Sequence, residues 1–297
     1  TTDGAQSMSG KQRGMAVCLK RLVTQHYTSS NKSVHNIGTM WCFAHRINLA
    51  TRDFLSLKGV ALVKSFADWL TNRRRLVNWK RFVALEHPHL KAKAIPQPSE
   101  TRWLFYSDVV SAVMSQRQLV ERFVKTQHDF AAFWRDETEM NGVFGGVEVD
   151  FSFNNALIES LFVFVGSILE TLGKVNTLLQ ERYASVHECW EMVGELKTHV
   201  RTLSATISQS FSQHDCFSRL TKQQLTLFAT FTEHLLRSLE NRFPCPSTSL
   251  DTRKKSNQLA PTTVQQRGSR TGSEHCPFNE HLALFHLPND VLGGHPT

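Results

Sequence analysis

The sequence predicts a mostly helical protein with a small α/β portion at its N-terminal end and a disordered tail. Apolar residues recur at three- and four-residue steps through most of residues 57–243, which is the spacing of amphipathic helices. Residues 1–56 instead mix glycine-containing loops, helical spacing and one apolar, β-rich segment. Residues 245–297 are rich in Ser, Thr, Pro, Gln and Gly without periodicity, a composition typical of disorder. We therefore divide the chain into units of residues 1–56, 57–244 and 245–297.

The first unit contains three predicted elements. Met15 to Val23 has the composition of a short helix, Ile37 to Phe43 that of a buried strand, and Ala44 to Leu55 returns to helical spacing. Counting a strand that ends near Asp3, the order strand, helix, strand, helix is typical of a piece of an α/β layer.

The second unit is predicted to be entirely helical between clear breaks. Pro88 ends one helix and Ser99 caps the next, while residues 141–146 form a break. A continuous apolar stripe predicts that the longest helix covers about residues 154–181. Two further helices are expected at about 185–210 and 220–242.

The net charge of +8 is unevenly distributed along the chain. Residues 1–103 contain 17 Lys and Arg against 5 Asp and Glu, whereas residues 104–297 contain 17 against 21. A basic first third predicts a surface that faces a polyanion, and nucleic acid is the natural candidate. The alternative is a solvated basic face with no ligand.

Cysteine usage and hydropathy exclude several classes of protein. The six cysteines are scattered and include no C-x-x-C pair, which argues against a zinc ribbon and a disulfide scaffold. A reducing compartment, nuclear or cytoplasmic, is therefore expected. The longest apolar run, Leu161 to Leu169, is interrupted by Gly166 and Ser167, so we expect a buried helix, no membrane span and no secretory signal.

Two N-terminal motifs carry a family resemblance. Residues 2–10 are T-D-G-A-Q-S-M-S-G, and residues 42–50 are C-F-A-H-R-I-N-L-A. Together they resemble the RNase H-like core of hAT-superfamily DNA transposases and of host proteins derived from them, including the BED-type zinc-finger relatives. The resemblance implies a partial RNase H-like core in residues 1–56, a large all-helical insertion domain in residues 57–244, and an unrelated tail.

The resemblance also implies a metal-dependent chemistry for Asp3. Two-metal cleavage and strand transfer of DNA need two divalent ions about 3.5–4 Å apart, bridged by carboxylates. In the family these ions are Mg²⁺ or Mn²⁺, and Asp3 matches the second of three catalytic acids, as a catalytic residue and metal ligand. The alternative is that Asp3 and Gly4 form an ordinary turn.

The C-x-x-H segment adds a second candidate catalytic residue. Cys42 and His45 would make half a zinc site, but no partner pair stands at a suitable spacing. By resemblance, His45 lies beside the acidic pocket and contacts a phosphate or orders a water, and Arg46 contacts nucleic acid. The alternative is that Cys42 and His45 pack the helix onto the sheet, which we favour for Cys42.

Two clusters further along are candidates for nucleic-acid binding. Thr101-Arg102-Trp103 resembles the family's T-R-W segment, in which Trp103 would stack on an unpaired base and Arg102 would pair with phosphate. Arg73, Arg74 and Arg75, followed by Trp79, Lys80 and Arg81, form a basic cluster that suits phosphate contact, with Arg73 and Arg74 on different faces of the helix. The alternatives are a core Trp103 and a solvated basic face.

Residues 172–180 resemble a further family segment, L-x-x-x-N-x-x-L-Q, whose apolar positions are ordinary helix core. The first and third catalytic acids and the BED zinc finger have no counterpart, so we expect a fragment that does not bind metal productively and does not cut DNA. The sequence therefore predicts a transposase-derived, non-catalytic nuclear protein that contacts DNA weakly and in a salt-sensitive manner. Alternatives are a helical module that binds protein partners and a non-functional relic.

Overall fold

The computed structural model describes Cys18 and residues 21–22, 42–86, 94–96, 105–180 and 185–244. Within these residues the chain forms helices joined by turns, and no strand is present. The helices are α1 Phe43–Leu55, α2 Val60–Thr71, α3 Arg73–Glu86, α4 Phe105–Ser115, α5 Arg117–Lys125, α6 Phe130–Asn141, α7 Ala156–Leu178, α8 Val186–Ala205, α9 Ile207–Ser210, α10 Asp215–Ser218 and α11 Lys222–Arg242.

The mostly helical character of the chain is confirmed. The predicted long helix corresponds to α7, the predicted break to the turn at 142–146, and the last two predicted helices to α8 with α9 and to α11. The predicted strand is wrong at Phe43, which begins α1 because Phe43, Ile47 and Ala50 have helical spacing and are all buried. Residues 37–41 of that strand, and the predictions at residues 2–10, 99 and 245–297, lie outside the described residues.

Helix α7 lies at the centre of the described structure. Asn155 caps its N-terminus, since the Asn155 side chain accepts hydrogen bonds from the backbone N–H groups of Leu157 and Ile158 at 3.0 and 3.3 Å. With 23 residues and a mean hydropathy of 1.7 over its most apolar window, it is long and apolar enough to cross a membrane by length and composition alone. However, 61% of that window is buried against neighbouring helices such as α1 and α4, as in the core helix of a globular protein.

Helices α1, α8 and α11 pack around α7 as a second group. Capping boxes fix the starts of α8 and α11, where Ser185 pairs with Glu188 and Thr221 with Gln224. Ile47 of α1 and Leu235 of α11 are fully buried in the same hydrophobic core as α7. The helix of the C-x-x-H motif therefore shares one core with the helices of residues 57–244.

An aromatic cluster joins α2, α6 and the start of α7. Phe66 of α2 is fully buried and stacks on Phe151 at 4.9 Å between ring centroids, with Phe162 edge-on at 5.3 Å. Trp69, one turn further along α2, meets Phe130 at 4.8 Å. Such ring contacts add roughly 0.5–1.5 kcal/mol each beyond the burial of their area, so this cluster stabilises the packing of α2 against α6 and the start of α7.

The turn between α1 and α2 depends on Gly59. Its φ is +91°, a conformation that disfavours side chains, and its N–H donates to Asn141 Oδ1 at 3.2 Å. A Cβ atom placed there would lie 2.7 Å from Phe231 Cζ. Only glycine therefore allows α2 to pass so close to α11.

Candidate nucleic-acid interface

Helix α3 begins at Arg73, and Asn72 is the single residue between it and α2. The Asn72 side-chain oxygen accepts a hydrogen bond from the backbone N–H of Arg74 at 3.1 Å. The backbone carbonyl of Asn72 accepts one from the N–H of Leu76 at 3.0 Å. An Asn in this position satisfies backbone donors that the first helical turn leaves free. The three consecutive arginines consequently form the first turn of a helix.

One side of α3 is buried in the core, which determines which side of the helix faces solvent. Leu76, Trp79 and Val83 are buried, and the Trp79 ring meets Phe123 of α5 edge-on at 5.3 Å. Asn78 Nδ2 lies 3.4 Å from Oε1 of Gln127, just beyond the end of α5. Because these residues point inward, the positions opposite them on the helix point to solvent.

The opposite side of α3 carries four cations, Arg73, Arg74, Lys80 and Arg81, which we call the basic face. All four are exposed, and within the described residues none has an acidic partner at ion-pair distance. Arg73 and Arg74, which were predicted to lie on different faces, are both exposed and are about 100° apart around the helix axis.

Arg75 occupies a different position from its two neighbours. Its guanidinium lies 4.2 Å from the centroid of the Trp69 ring, donates to the Trp69 carbonyl at 3.1 Å and pairs with Asp129 before α6. Its side chain is only 20% exposed. These contacts tie α3 to α2 and α6 through a cation–π interaction and an ion pair, so Arg75 is used within the protein.

Arg46 is likewise engaged inside the protein. It donates to the carbonyl of Arg242 at 2.6 Å and lies 5.7 Å from the centroid of the Phe243 ring, while Lys197 donates to the Phe243 carbonyl. Two cations at the carbonyl end of α11 satisfy free acceptors and complement the helix dipole. Burial lowers the pKa of Arg46 from its ordinary value without removing its charge.

Asp53 completes this junction between α1 and α11. Its carboxylate accepts hydrogen bonds from Ser238 at 2.8 Å and from Arg242 Nε at 3.1 Å. Partial burial pushes the pKa of Asp53 upward, but the bonds from Arg242 and Ser238 outweigh it and hold the pKa below its ordinary value. The ionised carboxylate is therefore the form that holds the two helices together.

The remaining predicted site residues are not brought together by the described structure. His45 is half-buried on α1, whereas Asp3, Arg102 and Trp103 lie outside the described residues. Among the residues that the structure describes, no three His, Cys, Asp or Glu side chains converge on one point. The described residues therefore do not provide the bridging carboxylates that a two-metal site requires.

Sequence reasoning missed two features of this interface. One is the internal role of Arg75, which depends on Asp129, 54 residues further along the chain. The other is Val77, an apolar residue that is 52% exposed among the cations. Only the exposure of Val77 could have been predicted from the local sequence, because Val77 does not fit the three- and four-residue spacing of Leu76, Trp79 and Val83.

The chain matches no protein-family model, and searches of curated proteins and of solved structures found no match either. The resemblance to hAT transposases thus remains a prediction from the motifs.

Proposed function

We propose that this protein is a transposase-derived, non-catalytic nuclear protein that contacts DNA through the basic face of α3. The observation that carries the proposal is four exposed cations on one side of one helix, unpaired within the described residues. Such an array supplies an electrostatic contact to phosphates that is independent of sequence. Weak, salt-sensitive affinity for DNA is the expected consequence.

The position of the cations also favours an anionic ligand. The first turn of α3 contains no acidic residue and begins with Arg73 and Arg74, at the positive end of the helix dipole. Cations there disfavour the helix by roughly 0.3–1 kcal/mol each. A phosphate bound at this end would reverse that penalty, because helix N-termini and arginines both attract phosphate oxygens.

The family part of the proposal depends on the motifs. The resemblance implies an RNase H-like core for residues 1–56 and ancestral cleavage and strand transfer by Mg²⁺ or Mn²⁺. One recognised acid, Asp3, is too few to bridge two ions, so we propose binding without catalysis. A DNA-nicking assay with the full chain and Mn²⁺ tests this point, and metal-dependent nicking lost in Asp3→Asn would overturn it.

The binding itself is tested by its salt dependence. If four cations each neutralise one phosphate, the slope of log K against log salt is about −3.6, and affinity falls about 150-fold between 50 and 200 mM salt. Fluorescence anisotropy of the full chain with a labelled 20-bp duplex measures this slope. Equal affinity at both salt concentrations would contradict the proposal.

A second function, binding of a protein partner by the helical domain, is favoured by one observation. Leu85, near the end of α3, is 76% exposed, an unusual position for a large apolar side chain. The two functions separate by substitution: Leu85→Ser should weaken only protein association, whereas Arg73→Gln with Arg74→Gln should weaken only DNA binding. Pull-down from nuclear extract and anisotropy measure the two effects.

A further inference from the structure

The exposed residues of α3 are arranged in rows along the helix. This arrangement indicates how the basic face would contact DNA, an inference that rests on the proposed function. At about 100° per residue, the outward positions fall into two cationic rows with a ridge of small apolar residues between them. Taking Arg73 as the origin, the angles are about 340° for Lys80, 0° for Arg73, 20° for Ala84, 40° for Val77, 80° for Arg81, 100° for Arg74 and 120° for the exposed Leu85 near the end of the helix. Arg73 and Lys80 thus form one row, and Arg74 and Arg81 the other.

The ridge is exposed and narrow. Val77 is 52% exposed and Ala84 is also exposed, and neither extends as far as the cations on each side. An apolar ridge between two rows of charge suits a ligand with two phosphate-lined edges and a partly apolar floor. The major groove of duplex DNA has this character, because phosphates border it and thymine methyl groups line its floor.

The dimensions of α3 match that groove. With 14 residues, the helix is about 21 Å long, and a helix with its side chains is about 10–12 Å across, against a groove about 12 Å wide. We infer that α3 inserts the ridge of Val77 and Ala84 into the major groove of double-stranded DNA, with each cationic row contacting the phosphates of one strand. Val77 then contacts thymine methyl groups.

Two other anionic ligands fit the face less well. Proteins that hold single strands stack bases on exposed aromatic rings, but Trp79 of α3 is 2% exposed and Phe82 packs against Phe123. Helices that lie on anionic membranes bury a broad face with bulky apolar residues, whereas α3 exposes a single bulky apolar side chain, Leu85, at its C-terminal end, and its ridge consists of Val77 and Ala84. Duplex DNA is therefore the ligand to which the proposal commits.

The test compares four probes with the full chain by anisotropy or co-sedimentation. They are a 20-bp duplex, the same duplex with glucosylated 5-hydroxymethylcytosine, one of its single strands, and phosphatidylcholine vesicles containing phosphatidylserine. The glucose blocks the major groove and leaves the phosphates and the minor groove unchanged. We expect at least about tenfold weaker binding to the glucosylated duplex, and weaker binding to the single strand and vesicles than to the unmodified duplex.

The double variant Arg73→Gln/Arg74→Gln distinguishes a failure of groove insertion from a failure of DNA contact by α3. Equal affinity for the plain and glucosylated duplexes, both reduced by the variant, would overturn groove insertion and retain DNA contact by α3. Tighter binding to the single strand or to vesicles than to the duplex would also overturn groove insertion. Duplex affinity that the variant leaves unchanged would overturn the proposed function itself.

Discussion

Replacing Arg73 and Arg74 with glutamine should weaken DNA binding and slightly stabilise the fold. Both residues lie in the first turn of α3, where a cation opposes the helix dipole, and neither has an acidic partner among the described residues. Since Arg and Gln have similar helix propensities, removing two such charges gains about 0.6–2 kcal/mol in the free energy of unfolding. For a folded unit of this size the melting temperature should rise by about 1–8 °C.

The effect on binding has the opposite sign. Losing two of four phosphate contacts halves the slope of log K against log salt, from about −3.6 to about −1.8. The fall in affinity between 50 and 200 mM salt then shrinks from about 150-fold to about 12-fold. Anisotropy titrations at four salt concentrations measure the slope, and thermal unfolding followed by circular dichroism measures the stability of the same preparations.

Arg75→Gln is the matched control, because it makes the same chemical change one residue further along the helix. It removes the cation–π contact with Trp69, the hydrogen bond to the Trp69 carbonyl and the ion pair with Asp129. The free energy of unfolding should fall by about 1–2.5 kcal/mol, while the salt slope stays unchanged. A double variant that lowers the melting temperature as Arg75→Gln does, or leaves the salt slope intact, would refute the assignment of the basic face.

Three further predictions concern the fold and are measured by urea unfolding. Gly59→Ala should lower the free energy of unfolding by about 2–4 kcal/mol, because φ is +91° and the new Cβ would lie 2.7 Å from Phe231. The control Gly142→Ala, at φ +62° with nothing within 4 Å of the new Cβ, should lower it by about 1 kcal/mol. Equal losses in the two variants would contradict the close approach at Gly59. Phe66→Ala should cost about 3–5 kcal/mol, since the fully buried ring contacts several others, and a cost below 1 kcal/mol would rule out the aromatic cluster. Asp53→Asn should cost about 1–2 kcal/mol at pH 7. Because the folded-state pKa of Asp53 is lowered, this difference from the unsubstituted protein should shrink as the pH falls below the ordinary carboxyl range and through the folded-state pKa. A difference that stays constant on acidification would contradict the ionic bond.

Much of the helical architecture follows from local sequence signals. The inward residues of α3, Leu76, Trp79 and Val83, are spaced by three and four, so the sequence alone determines which side of the helix is buried. The start of α7 at Asn155 likewise depends on a side chain that caps its own helix. Phe43 was assigned to a strand because the apolar run before it resembles one, and the helical spacing after it prevailed.

The roles of individual arginines could not be predicted in the same way. The partner of Arg75 lies 54 residues away and the partner of Arg46 lies 196 residues away. Spacing along the chain contains no information about such contacts, which arise only when helices pack. The basic run in the sequence therefore falls on α3, but it does not show which of its cations are used in contacts within the protein.

The cations that stabilise the fold can be distinguished from those whose positions the fold does not explain. Arg46 and Lys197 lie at the carbonyl end of α11, where positive charge stabilises the helix, and Arg75 covers the Trp69 ring. The needs of the fold thus account for their positions. Arg73 and Arg74 lie at the end of α3 where positive charge is unfavourable, and no contact among the described residues offsets that penalty. An anion bound at this end would turn the unfavourable charge into a favourable one, so the same two residues that weaken the free protein would strengthen its complex with DNA.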